Sequence, residues 1–397
     1  MTETAAGTGS ATEETLLSGY SGRLLLAASV GWSMVQGGRL VLSPLVPAVR
    51  ADLALSNTQI GLVFTVMWGV YAVLQYPSGR FSDRLSRKPL VVGGLLITAA
   101  GLSILGAAPS YPVFLLAAVV TGFGAGLFPT AARALISDLF VDKRGQAFGL
   151  HTGMGDTGGI IAAVLATAVV AVTWRLAYPP VVVVLVLVAL AVHRWDREPY
   201  TVGWVDLGVR ETLGRLFGDP TIRRLLVAYV LFSVTWQSAV AFLPSFLRFS
   251  KGLPPEVANA SFGALFVIGA LVKPPSGWFG DRYGRARVAA VSMLGGGVGL
   301  AAAVASGWRP AVVLAIAVFA VGLMAYPPVI QAALMDAFPD DSMGGDLGGF
   351  RSVYIGVASV GPTIVGAVAD QAGFEMGFVL LVVCMLLSGV LLAYVSR

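Results

Sequence analysis

Charge is what this 397-residue chain has least of: Asp, Glu, Lys and Arg make up 12% of it, against about 25% in ordinary soluble domains. With 56% hydrophobic residues and a mean hydropathy of +0.82, it cannot be a water-soluble globular protein, and its solvent is the lipid bilayer. Cysteine is nearly absent as well. Cys384 is the only one and sits in an apolar run, which excludes an intrachain disulfide. With two histidines beside it, a structural zinc centre is excluded too. There is no Gly-x-x-x-x-Gly-Lys loop to cradle a nucleotide, so ATP is not the driver. No nucleophile is paired with a base in the way that would mark an enzyme. No catalytic residue, cofactor or metal is therefore expected. The first basic residue is Arg23, after Glu3, Glu13 and Glu14. That is the wrong charge for a secretory signal, and residues 1–20 read as a disordered cytoplasmic tail.

What is present is a series of apolar segments about 18–25 residues long, enough to cross a hydrocarbon core of roughly 30 Å as helices. Gly and Pro are frequent within them, as membrane helices tolerate, whereas barrel strands would be shorter and alternate. Window hydropathy places helices at 24–49, 58–79, 90–108, 112–135, 145–172 and 174–192, then at 225–246, 258–277, 288–305, 310–334, 347–369 and 374–395. Lys and Arg crowd alternate loops. Arg80, Arg84, Arg87, Lys88, Arg133, Lys143, Arg144, Arg282, Arg285 and Arg287 fall on one side, with the basic residues of 194–224; only Arg50, Arg175, Arg248, Lys251 and Arg309 fall on the other. By the positive-inside rule the first side, with both termini, is cytoplasmic; the acidic loop 336–346 is a local exception. The net charge of +5 thus comes from short loops rather than one basic face, which speaks against nucleic acid as a partner.

One of those loops organises the rest. Arg80, Asp83, Arg84, Arg87 and Lys88 fall in a turn between two apolar runs, in the stretch Pro77-Ser78-Gly79-Arg80-Phe81-Ser82-Asp83-Arg84-Leu85-Ser86-Arg87. It returns as Pro275-Ser276-Gly277-Trp278-Phe279-Gly280-Asp281-Arg282-Tyr283-Gly284-Arg285. Gly277 follows Gly79, and Asp281 follows Asp83, by 198 positions; the same offset links Pro129, Asp138 and Phe140 to Pro327, Asp336 and Phe338. Two halves repeated in one orientation are a transporter architecture, related by an axis along the membrane normal. The expected fold is all-α and polytopic, about twelve transmembrane helices in two six-helix pseudo-symmetric bundles, at 21–193 and 223–397. In the linker 194–222, Val209, Leu213, Leu216 and Phe217 beside Arg210, Glu211 and Arg215 suggest an amphipathic helix on the inner membrane surface, a plain spacer being the alternative.

At these residues the chain resembles the major facilitator superfamily. Gly79-x-x-x-Asp83-Arg84-x-x-Arg87-Lys88 is similar to that family's cytoplasmic signature between helices two and three, and Gly277-x-x-x-Asp281-Arg282-x-Gly284-Arg285 to its second-half copy. The resemblance implies a cytoplasmic gate. Gly79 and Gly277 would allow close helix approach, Asp83 and Asp281 would face helix ends of the opposite half, and Arg87 would pair with Asp138 and Arg285 with Asp336, with Arg84 and Arg282 alongside. Arg80, Lys88 and Arg287 read as positive-inside anchors. Three departures stand out. Ser86 occupies a position where the family has Gly; the fourth helix carries no Arg shortly before Gly122 and Gly124; and in the fifth helix Asp156 stands where antiporters carry Pro.

Charges inside membrane spans are costly and usually face a cavity. Arg39 follows Gln36 in the first helix, with no acidic neighbour, so anion binding or pairing with Asp156 is expected. Asp156 lies mid-span in the fifth helix and is the candidate proton carrier. Arg351 lies near Tyr354, either free for an anion or locked to Asp346. Lys273 snorkels to the cytoplasm, His151 is a polar core residue, and Trp236 and Gln237 line the cavity or pack between helices. Because Arg39, Arg351 and Lys273 outnumber Asp156, the favoured substrate is a small organic anion. It would be moved by alternating access in a monomer of the plasma or inner membrane, with protons as the coupling partner. The rivals are a proton-linked exporter of amphipathic or cationic compounds and a membrane sensor that transports nothing.

Overall fold

The computed structural model describes residues 15–395 except 170, 202, 204, 206 and 339–342, and only the backbone at 83, 336, 337, 343, 344 and 395. Most of the expected tail 1–20 therefore lies outside the described residues. Among those described there is no strand. The first half runs α1 (Gly19–Leu40), α2 (Leu42–Leu53), α3 (Asn57–Arg84), α4 (Lys88–Ala107), α5 (Tyr111–Leu139), α6 (Arg144–Val169) and, after one 3-10 turn at Trp174–Ala177, α7 (Tyr178–Trp195). A short α8 (Val209–Gly218) lies between the halves. The second half runs α9 (Pro220–Phe249), α10 (Pro255–Tyr283), α11 (Arg285–Ala305), α12 (Arg309–Ala337), α13 (Met343–Ala358) and α14 (Gly361–Val395).

Among the described residues eleven stretches are long and apolar enough to cross a membrane, and one of them, Gly345–Tyr394, is 50 residues long. Gly373, at φ 81 and ψ 163, breaks the helix there, which makes two spans of it and twelve in all. The α1–α2 break at Val41 falls within a single span. Pro44 has no N–H to return to the carbonyl of Leu40, so the helical ladder is interrupted there.

The halves repeat helix by helix. Asn57 and Pro255, Tyr111 and Arg309, Leu139 and Ala337 bound corresponding helices, each pair 198 positions apart. In both halves a glycine sets the crossing of the third and fourth spans. A Cβ on Gly124 would lie 2.3 Å from the amide nitrogen of Thr98, and one on Gly322 would lie 2.3 Å from the carbonyl oxygen of Ser292. Only a residue without a side chain lets these backbones meet. Outward, Leu187 and Leu190 on α7 and Val291 and Val298 on α11 are exposed, as lipid-solvated faces require.

The helices reach further toward the arginine-rich end than hydropathy placed them. α3 continues through Arg84 and α10 through Tyr283, so most of each charged motif is helix and the turn is confined to the residues after it. The cause is that Arg80 to Arg84 contains neither Gly nor Pro, and polar side chains terminate hydropathy without terminating a helix. The two turns also differ. Gly284 has φ 95, a left-handed region that glycine adopts freely. Ser86 has no such conformation; it donates its amide to Thr201 Oγ1 at 2.9 Å and its hydroxyl to Glu198 at 3.1 Å.

Several seams join the halves, and three of them bear on the site. At the end opposite the arginines, Asp370 accepts hydrogen bonds from the amides of Asn57 (2.9 Å) and Thr58 (2.8 Å) and from their side chains at 2.8 and 2.7 Å. This carboxylate caps the N-terminus of α3, where amides are unsatisfied and the helix dipole is positive. Along the second seam α6 packs on α10. The third is α8 itself. Arg215 donates to both oxygens of Asp346, with Nη2 at 2.7 Å from Oδ1, and this bonding pushes the guanidinium above its ordinary value. The hydroxyl of Tyr76 on α3 lies 2.9 Å from Thr212 Oγ1 and also donates to the carbonyl of Leu207. Thr212 and Leu216 are buried while Val209, Leu213 and Phe217 are exposed. The linker helix therefore sits across α3 and α13 with an apolar face turned outward.

Candidate functional site

Between the halves lies a cavity of about 230 Å³. Its first-half wall is formed by Trp32 and Gln36 of α1, Trp68 and Tyr71 of α3, and Thr152, Gly155 and Asp156 of α6. The second half supplies Tyr229, Phe232, Trp236 and Gln237 of α9, Phe266 and Lys273 of α10, Gln331 of α12, and Arg351 and Tyr354 of α13, among others. Eight aromatic rings thus surround a few charged groups: Trp32, Trp68, Tyr71, Tyr229, Phe232, Trp236, Phe266 and Tyr354. Trp236 meets Trp68 edge to face at 5.3 Å across the two halves, and Tyr229 lies against Tyr354 at 4.3 Å. Gln237 is held by Ser233 at 3.0 Å and the carbonyl of Ile355 at 3.2 Å.

Of the residues picked from sequence, Gln36, Asp156, Trp236, Gln237, Arg351 and Tyr354 share this cavity. Arg39 does not. It is 2% exposed, donates to Gln36 Oε1 at 3.2 Å, and lies 3.8 Å from the Trp68 ring centroid and 4.3 Å from that of Tyr71. Cation–π contact replaces the expected anion or carboxylate partner, and Arg39 braces the aromatic wall from behind. Nor does Asp156 pair with Arg39. Lys273 takes it, with Nζ 2.7 Å from Oδ1 and 2.6 Å from Oδ2, so Lys273 points into the cavity instead of snorkelling. Asp346, spoken for by Arg215, is not the lock on Arg351. His151 is buried and stacked on Trp32 at 6.2 Å, as a core residue.

Sequence reasoning missed Arg133, which lay near the end of the expected helix 112–135 and was counted among the basic residues of the cytoplasmic loops. α5 runs on to Leu139, which leaves Arg133 inside the helix, within electrostatic reach of Arg351, Tyr71, Tyr354 and His151. Among the described residues no carboxylate pairs with Arg133 or Arg351. The repeat carried a signal for these groups. Arg133 corresponds to Gln331, Lys273 to Gln75, Asp156 to Tyr354 and Arg39 to Gln237, each 198 positions apart. At each of these places a charge in one half stands where the other half has a neutral polar residue.

At the arginine-rich end Arg87 and Asp138 form an ion pair at 2.9 Å. Arg285 lies 3.3 Å from Asp281 and donates to the carbonyl of Ala332 at 2.9 Å. Arg282 lies over Trp278 and Tyr283, and Arg84 is exposed. The side chains of Asp83 and Asp336 are outside the described residues. A Cβ on Gly79 would make only ordinary contact with Thr130, at 3.4 Å, and one on Gly277 would face open space. The close approach expected at Gly277 is therefore absent, and Gly280 instead meets Val329.

The fold is that of the solved bacterial homolog to the human lysosomal transporter Spinster, with a TM-score of 0.81 over 95% of this chain and 97% of that one at 17% identity. In sequence the chain is 27% identical to a gentisate transporter of Corynebacterium glutamicum over 403 residues, covering 96% of this chain and 89% of the relative. It is 30% identical to a puromycin resistance protein of Streptomyces alboniger over 254 residues, covering 59% and 49%. The family model described as Major Facilitator Superfamily matches residues 25–272 and 225–397. The chain therefore belongs to the Major Facilitator Superfamily, and is a multi-pass membrane transporter rather than an enzyme.

Proposed function

We propose that this transporter carries a small organic anion, with an aromatic or otherwise flat apolar body, by alternating access at the central cavity. The observation that carries the reading is the charge of the site. Arg351, with Arg133 close by, has no carboxylate partner among the described residues, while the cavity's one carboxylate, Asp156, is already bound by Lys273. Uncompensated guanidinium in an apolar setting is costly unless an anion completes it, and arginine suits a planar carboxylate. The surrounding rings offer stacking faces to the rest of the molecule. Gentisate, carried by the relative that aligns along nearly the whole chain, joins these two properties.

The paired clusters Arg87–Asp138 and Asp281–Arg285 act as the gate at the arginine-rich end. That end and both termini lie in the cytoplasm, and the protein works as a monomer in the plasma or inner membrane. A second reading, export of amphipathic or cationic compounds, has the eight rings and the puromycin-resistance relative in its favour. A cation, however, would have to settle beside Arg351 and Lys273. Counterflow in proteoliposomes with gentisate, benzoate, succinate and puromycin separates the two. The anion reading expects exchange of gentisate and benzoate above succinate; exchange of puromycin alone would overturn it.

A further inference from the structure

On the outer face of the second half a groove of about 550 Å³ lies between α10 and α11, with α12 as its floor. Phe279 and Tyr283 of α10, Val288 and Val291 of α11, and Val321 and Ala325 of α12 face it, and no residue lines both this groove and the central cavity. Phe279, Tyr283, Val291 and Val321 are exposed, so the groove opens on lipid. Its walls are apolar along their length. The two serines in them, Ser276 and Ser292, donate to the carbonyls of Lys273 and Val288 in their own helices, at 2.8 Å each.

The one charged group in the groove is Arg287, at the start of α11 and therefore at the arginine-rich end. Arg282 stands beside the same mouth, 5.7 Å from the ring centroid of Tyr283. Among the described residues neither arginine forms an ion pair. From Tyr283 back to Val272, the lining residue of α10 furthest from that end, the helix runs eleven positions, or about 16 Å at a rise of about 1.5 Å per residue. That is roughly half of a 30 Å hydrocarbon core, the depth of one leaflet. An arginine that only anchors a helix end needs no groove beside it. An apolar slot one leaflet deep with a cation at its mouth has the shape and polarity of a phospholipid, chain inward and phosphate at the interface.

The duplication supplies a comparison. At the matching places of the first half Pro89 stands for Arg287 and Leu85 for Tyr283, while Phe123 and Leu127 stand for Val321 and Ala325. There the cation is gone and the floor residues are larger, although α4 is slimmer at Gly93 and Gly94.

We propose that this groove binds one anionic phospholipid from the leaflet at the arginine-rich end, with an acyl chain between α10 and α11 and the phosphate at Arg287. A guanidinium matches phosphate oxygens in geometry as well as charge. A zwitterionic headgroup brings a second cation toward Arg282 and Arg287, whereas that of phosphatidylglycerol does not. Ser276, Phe279 and Tyr283 belong to the second copy of the charged motif, so the seated lipid packs against that motif from the bilayer side.

The test is native mass spectrometry of the full-length protein released from mixed micelles that hold phosphatidylglycerol and phosphatidylcholine with the same chains in equal amounts. Wild type should keep one lipid, with phosphatidylglycerol preferred. Arg287→Gln should lower that preference about 5-fold, the worth of one basic residue near anionic lipid. Val321→Phe, which gives the floor the residue of the first half, should reduce retention of both lipids. Arg144→Gln, at the same end but outside the groove, should leave the preference as in wild type. No preference in wild type, an unchanged preference in Arg287→Gln, an equal fall in Arg144→Gln, or wild-type retention in Val321→Phe overturns the proposal. Inorganic phosphate should not displace the lipid; displacement would make Arg287 a site for a soluble anion and overturn it as well.

Discussion

Replacing Asp370 by alanine should loosen the seam at the end opposite the arginines. The carboxylate receives four hydrogen bonds, two from amides at the start of α3 and two from the side chains of Asn57 and Thr58. Removing a helix cap costs about 1 kcal/mol and losing a negative charge at a helix N-terminus about 0.3–1 kcal/mol. Asp370 is exposed, so water replaces part of what is lost and the larger values for buried charged hydrogen bonds do not apply. A net loss of roughly 1–2 kcal/mol changes the ratio of open to closed forms about 5- to 30-fold. If the open form holds about 1% of wild type, the variant should hold about 5–20%. Spin labels at Ser110→Cys and Gly307→Cys, in the corresponding outer loops of the two halves and with Cys384→Ser as background, report the separation by double electron–electron resonance. The expected result is a new long-distance population in Asp370→Ala. A distribution identical to that of the parent would refute the reading that this contact holds the seam closed.

Three further outcomes follow from the packing. Gly322→Ala brings a Cβ to 2.3 Å from the carbonyl oxygen of Ser292 and should cost about 1–3 kcal/mol as overpacking, seen as a lowered melting temperature in detergent. Gly284→Ser forces a side chain onto φ 95 and should cost about 1–3 kcal/mol, whereas Ser86→Gly, at the matching place in the first half, should change stability by less than about 1 kcal/mol. Arg215→Ala removes the Arg215 guanidinium from the Asp346 side chain, which is 1% exposed. Because Arg215 is itself 43% exposed, about 1–3 kcal/mol is expected instead of the 3–5 of a fully buried pair; faster trypsin cleavage after Arg210 is the readout.

Twelve spans and their duplication were legible because lipid imposes length and apolarity, and because the repeat keeps Gly79, Asp83 and Asp138 in register with Gly277, Asp281 and Asp336. Helix ends were less so. Hydropathy falls where charges begin, yet α3 and α5 run on to Arg84 and Leu139, and Arg133, inside the expected helix 112–135, was passed over because it was counted with the cytoplasmic loops. Partners were least legible. Asp156 meets Lys273 and Asp346 meets Arg215 across 117 and 131 positions, and no local spacing encodes contacts between separate helices. Arg39 misled for another reason. Its partners are the faces of Trp68 and Tyr71, and a search for opposite charge passes over aromatic rings.

The central claim, an anion held at Arg351, is tested most directly by ligand stabilisation of purified protein. At a gentisate concentration of 100 times its dissociation constant, wild type should gain about 2.7 kcal/mol of stability and melt at a higher temperature. Arg351→Gln loses a charge-assisted bond of about 1.5–3 kcal/mol and should need roughly 10- to 150-fold more gentisate for the same shift. Stabilisation of wild type by puromycin but not gentisate, or an equal response to gentisate in Arg351→Gln, would contradict the account.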